Sequence, residues 1–320
     1  MPSSFIDMGS LNYCGSEAQQ IFSKDIYDID LRSYGVTFMD GVKGKTKIYS
    51  GEMGDLWQKY TCAFSPEGNV SLAESYVEPV AIKINLEECY DVFWPTYLVD
   101  QTSISLNGGV PQTFADWFFA RFRQKALKEY QQTAWAGDTG YTGSTQAYLK
   151  VADGWLKQLE SATGATKITG ASVTVDNVIA QIEAAINKAI EVANGQGVDF
   201  ENYKVFLNHG DYKMLEVALG KECCPNSTNA VFANYSRGGN GHIYVMGFEA
   251  VPTMQPKNTV VVGPASNLVL AFDTYDANVA YQMIDMRGTT GDNSFRILAL
   301  TNIGMGIVFP ELFVYSRVTD

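Results

Sequence analysis

Residues 1–75 constrain the fold most, because they carry too little clustered apolar surface to fold alone. Residues 1–34 are polar and irregular, with scattered apolar anchors at Phe5, Ile21, Phe22, Ile26, Ile29 and Leu31. GVTFMDGVKGKTKIYSG, residues 35–51, then alternates apolar and polar positions. Val36 and Phe38 read as one strand, Lys45 to Tyr49 as another, with Asp40-Gly41 as a turn dipeptide between them. CAFSPEGNVSLAESY, residues 62–76, prolongs this extended region. Segments of this kind cannot offset the entropy of ordering by burying their own core. They imply an arm and a long hairpin that need another surface.

The body that follows has stronger periodicity. VEPVAIKINLEECYDVF places Val80, Ile82, Ile84 and Leu86 on one side of a strand, with Pro95 expected to end it. QTFADWFFARFRQKALKEYQQTAWAGD carries the clearest helical pattern, with Phe119, Phe122, Ala126 and Tyr130 on one face. Arg121, Lys125 and Lys128 share a neighbouring face, and Gly137 stops the helix. That basic stripe reads either as a nucleic-acid or acidic-partner surface, or as a solvated face paired with groups such as Glu129. A second helix is expected from near Thr174, with Val175, Val178, Ile182, Ile186, Ala189 and Ile190 as its stripe and Asn194-Gly195 as its end. Strand YKVFLN leads into a helix ending at Gly220. The rest reads as strands: HIYVMGFEAVPT, TVVVGPASNLVLAFD, NVAYQMIDMRG and SFRILALTNIGMGIVFPELFVYSRV. This order describes an α+β chain, and 320 residues exceed the usual reach of one core.

A net charge of −12 argues against a protein whose main work is gripping nucleic acid. The cysteines, at 14, 62, 89, 223 and 224, form no C-x-x-C pair, so free thiols in a reducing cytoplasm are expected. The N-terminus has no secretory pattern, and no apolar run reaches the ~18 residues of a membrane span. No cofactor or metal pattern is visible, and neither is a nucleophile elbow or phosphate loop. The single candidate for catalysis is VFLNHGDYKML, where His209 stands two residues before Asp211. Its periodicity makes it a strand end and a helix start, with Asn208 or His209 near the N-cap. Asp211 then falls in the first turn, where a carboxylate is favoured by the helix dipole. A hydrolase using His209 and Asp211 remains the competing reading.

The order of these segments resembles the major capsid proteins of tailed bacteriophages, the Hong Kong 97-type fold. The arm, the hairpin region, the entry strand, the long helix closing in AWAGDTG, the TVDNVIAQIEAAINKAI helix, YKVFLNHGDYKMLEVALG and the closing strands follow the family's order over nearly the whole chain. The resemblance implies an N-terminal arm (1–34), an extended hairpin loop (35–75), a peripheral domain with a long spine helix (76–168 and 274–320) and an axial domain (169–273). It implies pentamers and hexamers of an icosahedral virion shell, assembled in the bacterial cytoplasm around double-stranded DNA. Portal and scaffold or decoration proteins would be further partners. It places Arg121, Lys125 and Lys128 on the inner surface. No cross-linking lysine or asparagine can be matched. An encapsulin-type shell around a cargo enzyme is the alternative within the same fold.

Overall fold

The computed structural model describes residues 31–54, 57, 59–60, 62, 70–106, 113–200, 202–222, 235–237, 242–272 and 281–318. Most of the expected arm, Cys14, Cys223, Cys224 and the loop Gly238 to Gly241 lie outside them. In chain order the elements are β1 (Thr37–Met39), β2 (Thr46–Met53), β3 (Val70–Val77), β4 (Val80–Cys89), α1 (Tyr90–Leu106) and α2 (Phe114–Ala136). There follow α3 (Trp155–Ser161), β5 (Thr166–Ile168), α4 (Val178–Gln196), β6 (Tyr203–Asn208) and α5 (His209–Glu222). The last are β7 (Tyr235–Arg237), β8 (Ile243–Val245), β9 (Phe248–Thr253), β10 (Thr259–Pro264), β11 (Leu268–Phe272), β12 (Tyr281–Asp285), β13 (Ser294–Ile307) and β14 (Val314–Arg317). Among the described residues no helix is long and apolar enough to cross a membrane. The chain divides into two compact units.

The first unit holds described residues 81–130 and 281–302. β12 pairs antiparallel with β13 from Tyr281↔Ala299 to Asp285↔Phe295, and β4 also pairs with β13. Alternation along β13 turns Phe295 and Ile297 inward, where both are fully buried. Phe295 is the hub of a ring cluster, 5.0 Å from Tyr90, 5.1 Å from Phe118 and 5.5 Å from Phe114 between centroids. The Trp117 indole in the same cluster donates to the buried Asp100 at 2.8 Å. On the opposite face of the sheet, Arg296 donates to Glu87 at 2.9 Å.

The sequence missed α1 and expected Pro95 to end a strand. The strand instead ends at Cys89, and Pro95 lies inside the helix, at the loss of one backbone hydrogen bond. Tyr90, Phe93, Trp94 and Tyr97 share one face of α1 at helical spacing, but Pro95 in their midst reads as a strand end. On α2, Phe122 of the expected face joins the core, and the Phe119 side chain lies outside the described residues. Phe114, Trp117, Phe118 and Phe122 pack into the ring cluster, while Ala126 and Tyr130 are half-buried.

The second unit holds described residues 31–80, 131–272 and 303–318. Its seven-stranded sheet has the order β5-β14-β10-β6-β9-β8-β7. β6 runs parallel to β9 and antiparallel to β10, so the sheet is mixed. The centre of β6, Val205 to Leu207, is apolar because both of its faces are covered. Val205 and Leu207 meet Ile182, Ile186 and Ala189 of α4, while Phe206 lies 5.2 Å from Trp135. The turn 174–177 comes before α4 rather than within it. Asn177 accepts from the Thr174 amide at 2.8 Å, and the helix runs past Asn194-Gly195 to a left-handed Gly197.

Three strand readings are corrected. The expected strand 242–253 folds into the β8–β9 hairpin through Met246 and Gly247, both at positive φ. Asp40-Gly41 does not join paired strands: β1 pairs parallel with β11, and β2 pairs with β3. Residues 259–273 split into β10 and β11, which belong to different sheets.

Phe295→Ala should cost about 3–5 kcal/mol, the range for emptying a buried aromatic site. Chemical denaturation followed by fluorescence of the indoles measures it. A loss below 1 kcal/mol would show that the ring cluster does not depend on its hub.

Candidate functional site

The His209–Asp211 stretch is a junction in which the carboxylate serves as an anchor. Asn208 ends β6, and its side-chain oxygen accepts from the Gly210 amide at 2.8 Å while its side-chain NH2 donates to the Gln255 carbonyl. His209 opens α5, and Asp211 lies in the first turn as expected. Asp211 is buried, however, and its carboxylate accepts from the Asn258 amide at 2.9 Å. Burial raises its pKa above the ordinary value, opposed by the Asn258 amide and the Lys257 charge.

Asn258 itself adopts a left-handed conformation at φ +59. Its side-chain oxygen accepts from Val173 N at 2.8 Å and its carbonyl from Val318 N at 3.2 Å. One β9–β10 turn thus ties together α5, the approach to α4 and the end of β14. The buried Gln255 adds bonds to the carbonyls of Phe206 (3.0 Å) and Thr259 (2.6 Å). A carboxylate enclosed in this way holds a turn; it offers substrate no face. Among the described residues no three His, Cys, Asp or Glu side chains are grouped to hold a metal ion.

The basic stripe is partly neutralised. Lys125 approaches Glu129 at 3.3 Å one helical turn on, and both are about one-third exposed. Lys128 is half-buried, and the Arg121 side chain lies outside the described residues. Residue spacing puts the three on one side of α2.

A second cluster holds the last residues of the expected arm. Glu249 bridges Lys204, at 2.5 Å, and His242. Burial acts to raise the Glu249 pKa, but hydrogen bonds and charges from these two partners outweigh it and leave the value lowered. Tyr34 completes the cluster, with the Lys204 ammonium 5.6 Å from its ring centre and the His242 ring 5.7 Å away.

The most exposed feature is the β2–β3 ribbon, paired from Thr46↔Val77 to Met53↔Val70. On its outward face Lys47 bonds Glu74 at 2.7 Å, Tyr76 donates to Glu74 at 2.8 Å, and Lys45 stands 4.6 Å over the Tyr76 ring. Lys47 and Glu74 are thus paired within the ribbon, while Tyr49 and Tyr76 stay exposed. Between the strands Trp57 is 97% and Tyr60 87% exposed. A two-stranded ribbon is marginal in water without further packing.

The ribbon's root is fixed by residues whose role the sequence reading missed. Val77 is fully buried among Val42, Val269 and Ala271. It fits there because β13 carries glycine at 304 and 306: a Cβ at Gly304 would lie 2.8 Å from a Val77 methyl, and one at Gly306 2.5 Å. The G-M-G alternation inside a strand was the available signal, since strand glycines often mark close approach of another chain segment.

No family model matches the chain, and no curated protein matches it in sequence. Solved structures match it in fold. The capsid of a native GTA particle superposes with a TM-score of 0.55 at 10% identity, covering 96% of this chain and 97% of that one. The capsid of Myoviridae phage XM1 gives 0.54 at 8% identity, covering 99% of each. The satellite phage P4 procapsid gives 0.55 at 12% identity, covering 91% and 88%. The chain has the Hong Kong 97-type fold anticipated from its segment order.

The Asp211 site carries a pH test. A carboxyl whose folded pKa lies above its unfolded one stabilises fully below the unfolded value and loses that contribution as pH rises through the folded value. Stability of Asp211→Asn relative to the native chain should therefore improve as pH climbs from about 4. Urea midpoints at stepped pH measure it. A difference that is flat, or that moves toward the native chain, would contradict the assignment.

Proposed function

We propose that the chain is the major shell subunit of a tailed-phage head, assembling as pentamers and hexamers of an icosahedral capsid around double-stranded DNA. The observation that carries the reading is the ribbon. In a chain with this fold, a ribbon that pairs Lys47 with Glu74 and leaves Trp57 97% exposed is a surface made to be covered by another copy. Many modest contacts repeated by symmetry give a closed shell without any single strong one.

In this reading residues 1–34 are an arm and 35–75 an extended loop, both lying over neighbours. Residues 76–168 and 274–320 form the peripheral domain, and 169–273 the axial domain that gathers about the symmetry axes. The compact units divide the chain elsewhere, grouping residues 303–318 with 131–272. This follows from β14 pairing with β10. The peripheral and axial division describes roles in assembly rather than separate cores. Portal, scaffold and decoration proteins would meet the assembled shell, built in the host cytoplasm and carried in the virion. A shell role asks for no catalysis and no cofactor.

DNA would be met weakly and without sequence preference by Arg121, Lys125 and Lys128 on the inner surface. A stripe already shared with Glu129 suits contents that must be packed and later released.

Trp57→Ser should leave the isolated chain's thermal unfolding unchanged, because the side chain is already in water. It should reduce assembly at least tenfold, as read by sedimentation of particles. Unchanged assembly would remove the ribbon from the interface. Reversal of the stripe, Arg121→Glu with Lys125→Glu and Lys128→Glu, should spare shell formation and lower the amount of nuclease-protected DNA per particle. Equal DNA content would sink the inner-surface assignment. Particles holding a protein cargo instead of DNA would assign the shell to the enzyme-enclosing alternative.

A further inference from the structure

We propose that Gly304 and Gly306 form a socket whose fit to Val77 sets the direction in which the β2–β3 ribbon leaves its unit. Three observations converge on the same few atoms. Val77, the last residue of β3, has no exposed surface, and Pro79 follows two residues later, just before β4 begins at Val80. A Cβ at Gly306 would meet a Val77 methyl at 2.5 Å. One at Gly304 would meet the other methyl at 2.8 Å and the Pro79 backbone at 3.2 and 3.3 Å. Val77 cannot swing aside, because a β-branched side chain is stiff at χ1 and buried neighbours surround it. Any added atom in the socket must therefore displace the main chain at residues 77–79.

The opposite side of the socket is equally firm. Gly306 pairs with Val269 across the β11–β13 ladder. The Trp155 indole donates to the carbonyls of both, at 3.1 Å and 3.2 Å. Trp155 is fully buried, so the strand beneath Val77 has little room to yield. Beyond this point β3 runs back from Tyr76 to Val70, about 24 Å at ~3.4 Å per residue. A small displacement at the root is thus magnified at the far end. The two glycines act as positioning residues for the ribbon, and they touch only its last residues.

The socket can be tested on the unassembled chain, independently of the shell reading. A chain whose thiols are Cys62, exposed between the ribbon strands, and Lys188→Cys on α4, with the other cysteines changed to serine, takes two spin labels. Electron–electron double resonance then reads the distance from ribbon to body. Gly306→Ala should shift that distribution by more than its native width, and adding Val77→Ala should return it, because the second change removes the methyl that the first one strikes. A native distribution in Gly306→Ala, or a double variant that fails to return, overturns the socket. If Gly306→Ala does not fold, folding of the double variant with the native distance supports the socket, and failure of the double variant to fold overturns it. Assembly of the same variants tests the other reading separately. A shifted distance with native assembly keeps the socket and removes the ribbon from the proposed shell contacts.

Discussion

The pairing of Val269 with Gly306 is the contact through which the parts of the larger unit act on one another. The indole of Trp155 bonds to both carbonyls, and a Val77 methyl fills the space that a Cβ on Gly306 would need. Trp155 in turn stands edge-on to Trp135 at 5.0 Å between ring centres, and Trp135 lies against Phe206 in the seven-stranded sheet. A continuous run of buried aromatic and backbone contacts therefore joins the ribbon root to the centre of the sheet. Two further glycines make this possible. A Cβ on Gly137 would come within 2.2 Å of the Ala152 carbonyl, and one on Gly154 within 2.7 Å of the Gly137 amide. Main chain meets main chain there, with the Gly154 amide donating to the Gly137 carbonyl at 2.9 Å.

This arrangement concentrates rigidity at the ribbon's root, where β11, β13 and the end of β3 meet. Such a root suits a subunit whose extended parts are completed by neighbours. Interior packing is close to crystalline in density, so a body built this way transmits a shift at a contact instead of absorbing it. The exposed Trp57 and Tyr60 would be a liability on a solitary protein and are an asset on one that is meant to be covered. In the proposed shell the net charge of −12 would keep free subunits apart until aromatic contacts between copies are made.

Periodic elements were legible in the sequence. α2 and β6 lie where their apolar spacing put them, α5 starts as expected but runs past Gly220 to Glu222, and the segment order alone identified the fold. The misses share a physical cause. α1 has Tyr90, Phe93, Trp94 and Tyr97 at helical spacing, but Pro95 among them masked the pattern by suggesting a break. The β8–β9 turn places Met246 at positive φ, a conformation that its side chain does not advertise. β2 and β3 find each other across an intervening stretch that no local signal spans. Asp211 was assigned to its helical turn, but its partner, Asn258, comes from a loop 47 residues later in the chain. Gly304 and Gly306 stood in plain view as strand glycines, and only the approach of Val77 explains them. Local chemistry could be read; contacts between distant segments had to be seen.

The central claim is that copies of this chain cover one another's extended parts in a closed shell. Cryo-electron microscopy of the purified chain at high concentration tests it most directly. The expected result is closed particles in which this fold repeats about fivefold and sixfold axes, with each ribbon lying on a neighbouring copy. A monomer at every concentration, or assemblies in which Trp57 still faces solvent, would contradict it.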